Sequence, residues 1–372
     1  MAASEFLRDY WQKKPLLIRG AMPGFGGDLN RQGLLALAAR DDVESRFVAH
    51  DDKHWSLRRG PFSPQAARRW RGQWTVLVQG VDLVLPAASR LLAQFNFIPW
   101  ARLDDVMVSY ATDGAGVGPH IDNYDVFLLQ GAGKRRWRIG RPRNRALIDG
   151  APLKILREFV PDEEYVLSPG DMLYLPPDWA HDGIAEGECM TWSIGFRTAP
   201  ATELAAQFLA FMQEHLEDLC ELPGRYADPD LTVPRHPGEI DAAMIRRTRK
   251  LLDGLRWNDA IVRDFLGINL TEPKPHVVFD APVEPKPRAA FGKALKRLGV
   301  ALDARSRLLF SGERVFLNGE LEDTADAELS VLHELADNRV LPSGLAMSSN
   351  TIALLHDWYR CGFLHLANEA KE

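Results

Sequence analysis

The sequence predicts an α+β protein in three parts: a β-helix core wrapped by helices, then a helical stretch, then a mixed C-terminal module. Three observations predict it. Up to Thr198-Ala-Pro200, short apolar segments alternate with Gly and Pro turns, the cadence of a layered β core. From Ala201 to Cys220 the period changes, and Leu204, Phe208, Phe211, His215 and Leu219 recur at helical spacing. Beyond a stiff proline-rich linker, Thr271-Glu-Pro-Lys-Pro and Ala281-Pro-Val-Glu-Pro-Lys-Pro287, helix and strand signals alternate again.

Within the β core, Asp105 to Ala111 reads as a strand. Gly114-Ala-Gly-Val-Gly-Pro119 follows, a run that permits unusual backbone angles and close approach to a ligand. Next comes His120-Ile-Asp122. Alternate residues of a strand share a face, so His120 and Asp122 present an imidazole and a carboxylate to one point while Ile121 turns to the other layer. A third donor must come from a strand that folds back. Asp171-Met-Leu-Tyr-Leu-Pro-Pro-Asp-Trp-Ala-His181 reads as a strand ending in a Pro-Pro turn that delivers His181. Two imidazoles and one carboxylate occupy one face of an iron(II) octahedron and leave positions open for a cosubstrate and oxygen. A His-x-Asp pair by itself matches often by accident, so the weight lies on the context.

Asp125-Val-Phe-Leu-Leu-Gln130 and Lys134-Arg-Arg-Trp-Arg-Ile139 flank Gly131-Ala-Gly133, the signature of a hairpin with glycines in its turn. Parity sorts the second strand. Lys134, Arg136 and Arg138 share a solvated cationic face, whereas Arg135 lies with Trp137 and Ile139 and points inward. An inward guanidinium cannot deprotonate, and unpaired it costs several kcal/mol or more, so it requires an anion. That anion is either a buried acidic side chain or the carboxylate of a small bound acid.

These residues, with Pro176-Pro-Asp-Trp-Ala-His181 and the strand Thr191-Trp-Ser-Ile-Gly-Phe196, resemble the JmjC-type 2-oxoglutarate oxygenases on a double-stranded β-helix (jelly roll) of the cupin-like group. The opening Asp9-Tyr-Trp-Gln-Lys-Lys-Pro-Leu-Leu-Ile-Arg19 is similar to the entry segment of that group. Among them the chain looks most like the bacterial ribosomal oxygenases that hydroxylate an arginine side chain. The resemblance implies Fe(II) on His120, Asp122 and His181, and the remote carboxylate of 2-oxoglutarate on Arg135, with Ser193 of the final strand assisting. It implies consumption of O2 and release of succinate and CO2. The implied substrate is an arginine in a large-subunit ribosomal protein, the sixteenth of that subunit. The alternatives are the same chemistry on a histidine or methyl-lysine, and a cupin-like metal-binding interaction protein without redox chemistry. Tyr124 and Asp125 are the candidates for holding a substrate guanidinium.

At 372 residues the chain exceeds the roughly 100 to 200 residues of one domain. The expected division is 1–199 for the oxygenase domain, 200–270 for a helical dimerisation region and 271–372 for a winged-helix-like domain. The helical region is expected to hold Ile240 to Trp257 and a third helix around Ala260 to Leu266, after a polar loop from Glu221 to Gly238. Related enzymes dimerise through such a segment, so a homodimer is expected. In the last region Arg288 to Leu298, Asp326 to Asp337 and Ile352 to Cys361 read as helices, and Arg307 to Asn318 as a hairpin through Ser311-Gly312.

No apolar run approaches the roughly 18 residues that span a bilayer, and Met1 to Pro15 lacks the apolar core of a signal peptide, so a cytoplasmic address and no membrane partner are expected. Cys189, Cys220 and Cys361 are scattered, which argues against disulfides or a zinc cluster and for small buried hydrophobes. A net charge of -6 makes no general case for binding nucleic acid. Two local clusters are basic. Residues 281–315 hold eight Lys and Arg against three Asp and Glu, in a module better suited to bracing than to nucleic-acid contact. His54-Trp-Ser-Leu-Arg-Arg59 and Arg68-Arg-Trp-Arg71 interleave arginine with tryptophan, a pattern that serves RNA stacking, an acidic partner or contacts within the chain, and it is expected away from the iron.

Overall fold

The first hundred residues supply one end of a sheet and its covering helices: α1 (Ala3–Asp9), β1 (Leu16–Ile18), α2 (Arg31–Leu37), β2 (Ser45–His50), β3 (Trp55–Arg59), α3 (Pro64–Ala67), β4 (Trp74–Val78) and α4 (Pro86–Ala93). The structure is a computed structural model, and it describes residues 1–51, 54–216, 225–324 and 326–367. Local chemistry sets the helix starts. Asn30 accepts a hydrogen bond from the Gly33 amide, and Ser63 accepts one from the Ala66 amide ahead of a first-turn proline.

The catalytic half of the sheet follows: β5 (Leu103–Ala111), β6 (His120–Ile121), β7 (Val126–Gly140), β8 (Glu163–Leu167), β9 (Met172–Leu175) and β10 (Ala180–Phe196). The antiparallel order is β1-β9-β7-β10-β5-β4-β2-β3, with β6 beside β10 and β8 beside β7. β7 and β10 each serve two layers. Val126 to Leu129 pair with β9 and with the end of β10, while Arg135 to Ile139 pair with β8 and with its beginning. The two layers so formed are a double-stranded β-helix.

One expectation fails here. Gly131-Ala-Gly133 is not a hairpin turn, because β7 runs unbroken through it and both halves pair antiparallel with β10, with a shift of register at the glycines. The glycines bend the strand from one layer into the other. Gly133 has φ 61°, and a Cβ there would collide with the Glu188 backbone, where β10 makes its own bend at Gly187, φ 71°. A bend and a reversal need the same backbone freedom, so the glycine pattern could not separate them. The parity of Arg135 is unaffected by the difference.

Aromatic side chains fill the outer face under α1 and α4, including Phe6, Phe95, Phe127, Tyr174, Trp192 and Phe196. Between the layers lie Leu128, Trp137, Ile139, Leu167 and Leu173. β5 divides its residues accordingly: Val106, Val108 and Tyr110 join the aromatic core, and alternation turns Met107 and Ser109 to the inter-layer space.

After the sheet comes α5 (Ala201–Glu214); the expected continuation to Cys220 lies partly outside the described residues. The next helix is Ala242–Leu252, shorter than the expected Ile240 to Trp257 because Asp241 caps it by accepting from the Met244 amide. A third, Asp259–Thr271, is capped by Asn258 and sets Gly267 against the ring of Phe316. The last region has helices Arg288–Leu298, Leu329–Asn338 and Ser349–Arg360. It also has the sheets β15 (Val340–Leu341), β11 (Val300–Leu302) and β16 (Leu364–Leu366), and β12 (Leu308–Ser311), β13 (Arg314–Leu317) and β14 (Glu320–Leu321). Phe291, Leu295, Leu332, Leu335, Leu355 and Trp358 form the core of this winged-helix domain. Among the described residues, no helix is long and apolar enough to cross a membrane. Cys189 is buried as expected, but Cys361 is exposed.

Candidate active site

The two histidines meet because β6 lies against the start of β10. His120 stands opposite His181 and Ile121 opposite Ala180, and directly opposed residues of an antiparallel pair share a face. Their ring centroids are 4.2 Å apart. Asp122, just beyond β6, places Oδ2 3.6 Å from Nε2 of His181 and Oδ1 3.9 Å from Nε2 of His120. One donor atom from each residue lies within 4.8 Å of the others, close to the span set by donors that each sit roughly 2 Å from one cation.

Backbone carbonyls orient both rings. Nδ1–H of His120 donates to the Gly118 carbonyl at 2.8 Å, and Nδ1–H of His181 donates to the Trp179 carbonyl at 3.2 Å. Both Nε2 lone pairs are thereby freed for a metal, as outer hydrogen bonds do in metal sites generally. Burial, then the neighbouring His120, push His181 down to about 4, so its imidazole is neutral and able to donate a lone pair. The glycine run supplies the approach: Gly118 has φ 79°, and a Cβ on Gly116 would collide with the Gly183 carbonyl.

Arg135 shares this face four residues before Ile139, the partner of His181 on β7. Its side chain is 5% exposed. Nε reaches Cys189 Sγ at 3.4 Å and Nη1 reaches Ser109 Oγ at 3.4 Å, both long and weak, and Nη2 has no partner. The guanidinium carbon lies 5.7 Å from the Trp137 ring. Among the described residues no carboxylate pairs with it, whereas its neighbours are paired: Arg136 with Glu164 and Glu186, Arg138 with Asp182. The cationic face expected of Lys134, Arg136 and Arg138 is therefore largely an ion-pair ladder. Of the two anions foreseen for Arg135, the buried acidic side chain is not found among the described residues.

Ser193 points to the same inter-layer space, opposite Leu128 and Met107, and Oγ has no protein hydrogen bond among the described residues. Thr191, its neighbour on that face, is already engaged with Gln130 at 3.0 Å. Tyr124 is 40% exposed beside Asp122; burial first, then Asp122, raise its hydroxyl. Asp125 is a correction. It is fully buried, accepting from Tyr174 Oη at 2.6 Å and Gln12 Nε2 at 2.9 Å, so it ties the entry segment to the sheet and has no access to a substrate guanidinium. Sequence reasoning placed Trp137 beside the guanidinium but missed Ser109 and Cys189. Strand parity found Trp137, while Ser109 and Cys189 carry no signal until strand partners are known.

A family model described as the JmjC domain matches residues 90–204, and one described as a ROXA-like winged helix matches residues 254–365. The ribosomal protein uL16 3-hydroxylase of Escherichia coli is 32% identical over 331 residues, 86% of this chain and 85% of that protein. A probable ribosomal oxygenase of Haemophilus influenzae is 43% identical over 199 residues, 52% of this chain and 48% of that protein. The structure of YcfD, a ribosomal oxygenase from Escherichia coli, in complex with cobalt and 2-oxoglutarate covers 98% of both chains, with a TM-score of 0.82 at 28% identity.

Proposed function

This chain belongs to the JmjC-domain ribosomal oxygenases, and we propose that it uses Fe(II) and 2-oxoglutarate to hydroxylate an arginine side chain of ribosomal protein uL16. The observation that carries the proposal is the unpartnered Nη2 of buried Arg135 on the face of a two-histidine, one-carboxylate cluster. A dicarboxylate that meets a metal at one end and a guanidinium at the other answers both. Iron, 2-oxoglutarate and O2, when bound, supply the oxidising chemistry that inserts one oxygen atom into a substrate C–H bond as the cosubstrate becomes succinate and CO2.

The protein's own work is placement. His120, Asp122 and His181 hold the metal, with imidazoles fixed by the Gly118 and Trp179 carbonyls. Arg135 takes the far carboxylate in a charge-assisted pair, and Ser193 adds a hydroxyl nearby. Leu128, Trp137, Ile139 and Leu167 form a buried apolar cluster on this face, which would limit water around the reacting atoms. Tyr124, exposed at the rim beside Asp122, is proposed to contact the substrate side chain. Incubation with Fe(II), 2-oxoglutarate and uL16 should yield succinate and a mass gain of one oxygen on an arginine. Oxygen mapped instead to a histidine, or loss of methyl from a lysine, would replace the target while keeping the chemistry.

The division into 1–199, 200–270 and 271–372 is proposed with that function, and so is a homodimer built by the middle region. Leu209 on α5 is 63% exposed, and Ile245 and Leu252 on the next helix are 56% and 58% exposed, apolar surface that a second copy would cover. Leu209→Glu combined with Ile245→Glu should give a monomer in light scattering. A wild-type monomer at micromolar concentration would overturn the dimer.

A further inference from the structure

The β2–β3 edge carries a concentration of positive charge that the oxygenase reaction does not use. Between His54 and Arg71 the sequence has Arg58, Arg59, Arg68, Arg69 and Arg71 and no Asp or Glu, in a chain of net charge -6. β3 is the last strand of the sheet, and among the described residues no strand pairs with its outer edge. All five arginines are exposed, and none forms an ion pair among the described residues. Arg58, Arg69 and Arg71 surround a depression of about 470 Å³ floored by Phe47, Ala49 and Trp70.

Two ordinary explanations cover only part of this. Cations on an edge strand discourage strand addition, which accounts for Arg58 and Arg59 but not for three arginines at and beyond α3. Stacking within the chain accounts for Arg58, held 4.2 Å from the Phe47 ring and 5.9 Å from Trp70. Arg59, Arg68 and Arg69 have no such partner, and Arg71 donates only to the carbonyls of Arg68 and Trp70. Uncompensated like charges held together on an acidic protein repel one another, and a polyanion removes that repulsion.

The hairpin also touches the active site. Trp55 of β3 stacks on His50 at 4.1 Å and lies against Gly118, whose carbonyl orients His120, so this part of the cluster is nearer the metal site than its sequence led us to expect. Arg58 points to the opposite face of the hairpin from Trp55.

We propose that the surface formed by β2, β3 and α3 binds RNA through its phosphate backbone, so that the enzyme engages its protein substrate in an RNA-associated form. The occupant is chosen by charge. Several uncompensated arginines around a shallow depression match a chain of phosphates, whereas the proposed arginine-bearing substrate segment would be repelled. The inference goes beyond the hydroxylase reading and stands on separate residues.

Fluorescence anisotropy with a labelled mixed-sequence RNA oligonucleotide tests it on the full-length protein. Wild type should bind, and Arg69→Glu with Arg71→Glu should weaken binding at least ~10-fold and flatten the log-log salt dependence by about 0.7 per lost phosphate contact. Adding Arg58→Glu should weaken it further. Because Arg58 packs on Phe47 and Trp70, the double variant is the control for folding. Lys293→Glu with Lys296→Glu, on the winged-helix domain, should leave RNA binding unchanged. Succinate formation on a short uL16 peptide should be unaltered in every variant, and it reports the hydroxylase reading independently. Equal RNA binding by wild type and the double variant, or loss of binding in the winged-helix variant, would overturn the proposal. So would displacement of RNA by polyglutamate at equal charge concentration, which would assign the surface to an acidic protein.

Discussion

Two regions of this molecule hold arginine away from open solvent, half-buried in one and buried in the other, and they treat it differently. At the junction of the β-helix with the winged-helix domain, Arg307 donates to the carbonyls of Leu103 and Asp104, and Arg339 donates to those of Asp303 and Ser306. Asp105 there accepts from Gln79, the Gly80 amide and Lys274. In the pocket, Arg135 has two long contacts and one nitrogen with none. A charge whose needs the protein meets is architecture; one whose needs it leaves unmet is the place to test for a ligand.

The comparison is sharpened first at the metal ligands, which belong to the unsatisfied region. His120→Ala or Asp122→Ala should reduce turnover by more than the roughly 100-fold that loss of outer hydrogen bonds costs such sites, with circular dichroism unchanged. Retained turnover in either variant would break the assignment. In the satisfied region, Arg307→Ala should cost about 3 kcal/mol in denaturant unfolding and leave 2-oxoglutarate affinity as it was. A matching loss of affinity would mean that the two regions are not separate.

Asp125 is a smaller case of the satisfied kind. Asp125→Ala leaves Tyr174 and Gln12 without their acceptor, and about 1–3 kcal/mol of stability should disappear, again without effect on cosubstrate binding. The smallest effect concerns pH. Burial, then Asp105, raise Asp82 to about 7, so the folded state holds a proton that the unfolded chain releases near 4. Stability from this group is fully present below pH 4 and declines as pH rises through 7. Asp82→Asn should remove that slope from the stability profile between those values. An unchanged slope would place the titration elsewhere.

How much of this was legible in the sequence follows the range of the interactions. The ligand pair at His120 and Asp122 and the inward direction of Arg135 depend only on strand alternation, which two or three residues declare. The β-helix, the linker and the terminal hairpin at Ser311-Gly312 declare themselves through turn residues in the same way. Gly131 and Gly133 misled because a bend and a reversal need the same freedom, and only pairing with β10 tells them apart. Asp125 misled because its partners, Gln12 and Tyr174, lie 113 and 49 residues away. Ser109 and Cys189 escaped notice for the same reason: each meets Arg135 only after distant strands are brought into register.

The most direct test is Arg135→Met, followed by two readings of one preparation: unfolding free energy without cosubstrate, and 2-oxoglutarate affinity measured by titration calorimetry with Mn(II) in place of iron. If this guanidinium waits for a ligand's carboxylate, the apo protein should be no less stable than wild type, and affinity should fall ~100-fold or more, the worth of two charge-assisted hydrogen bonds. A clear loss of apo stability with affinity preserved would contradict the account, because it would make Arg135 a structural residue and leave the pocket without its anchor.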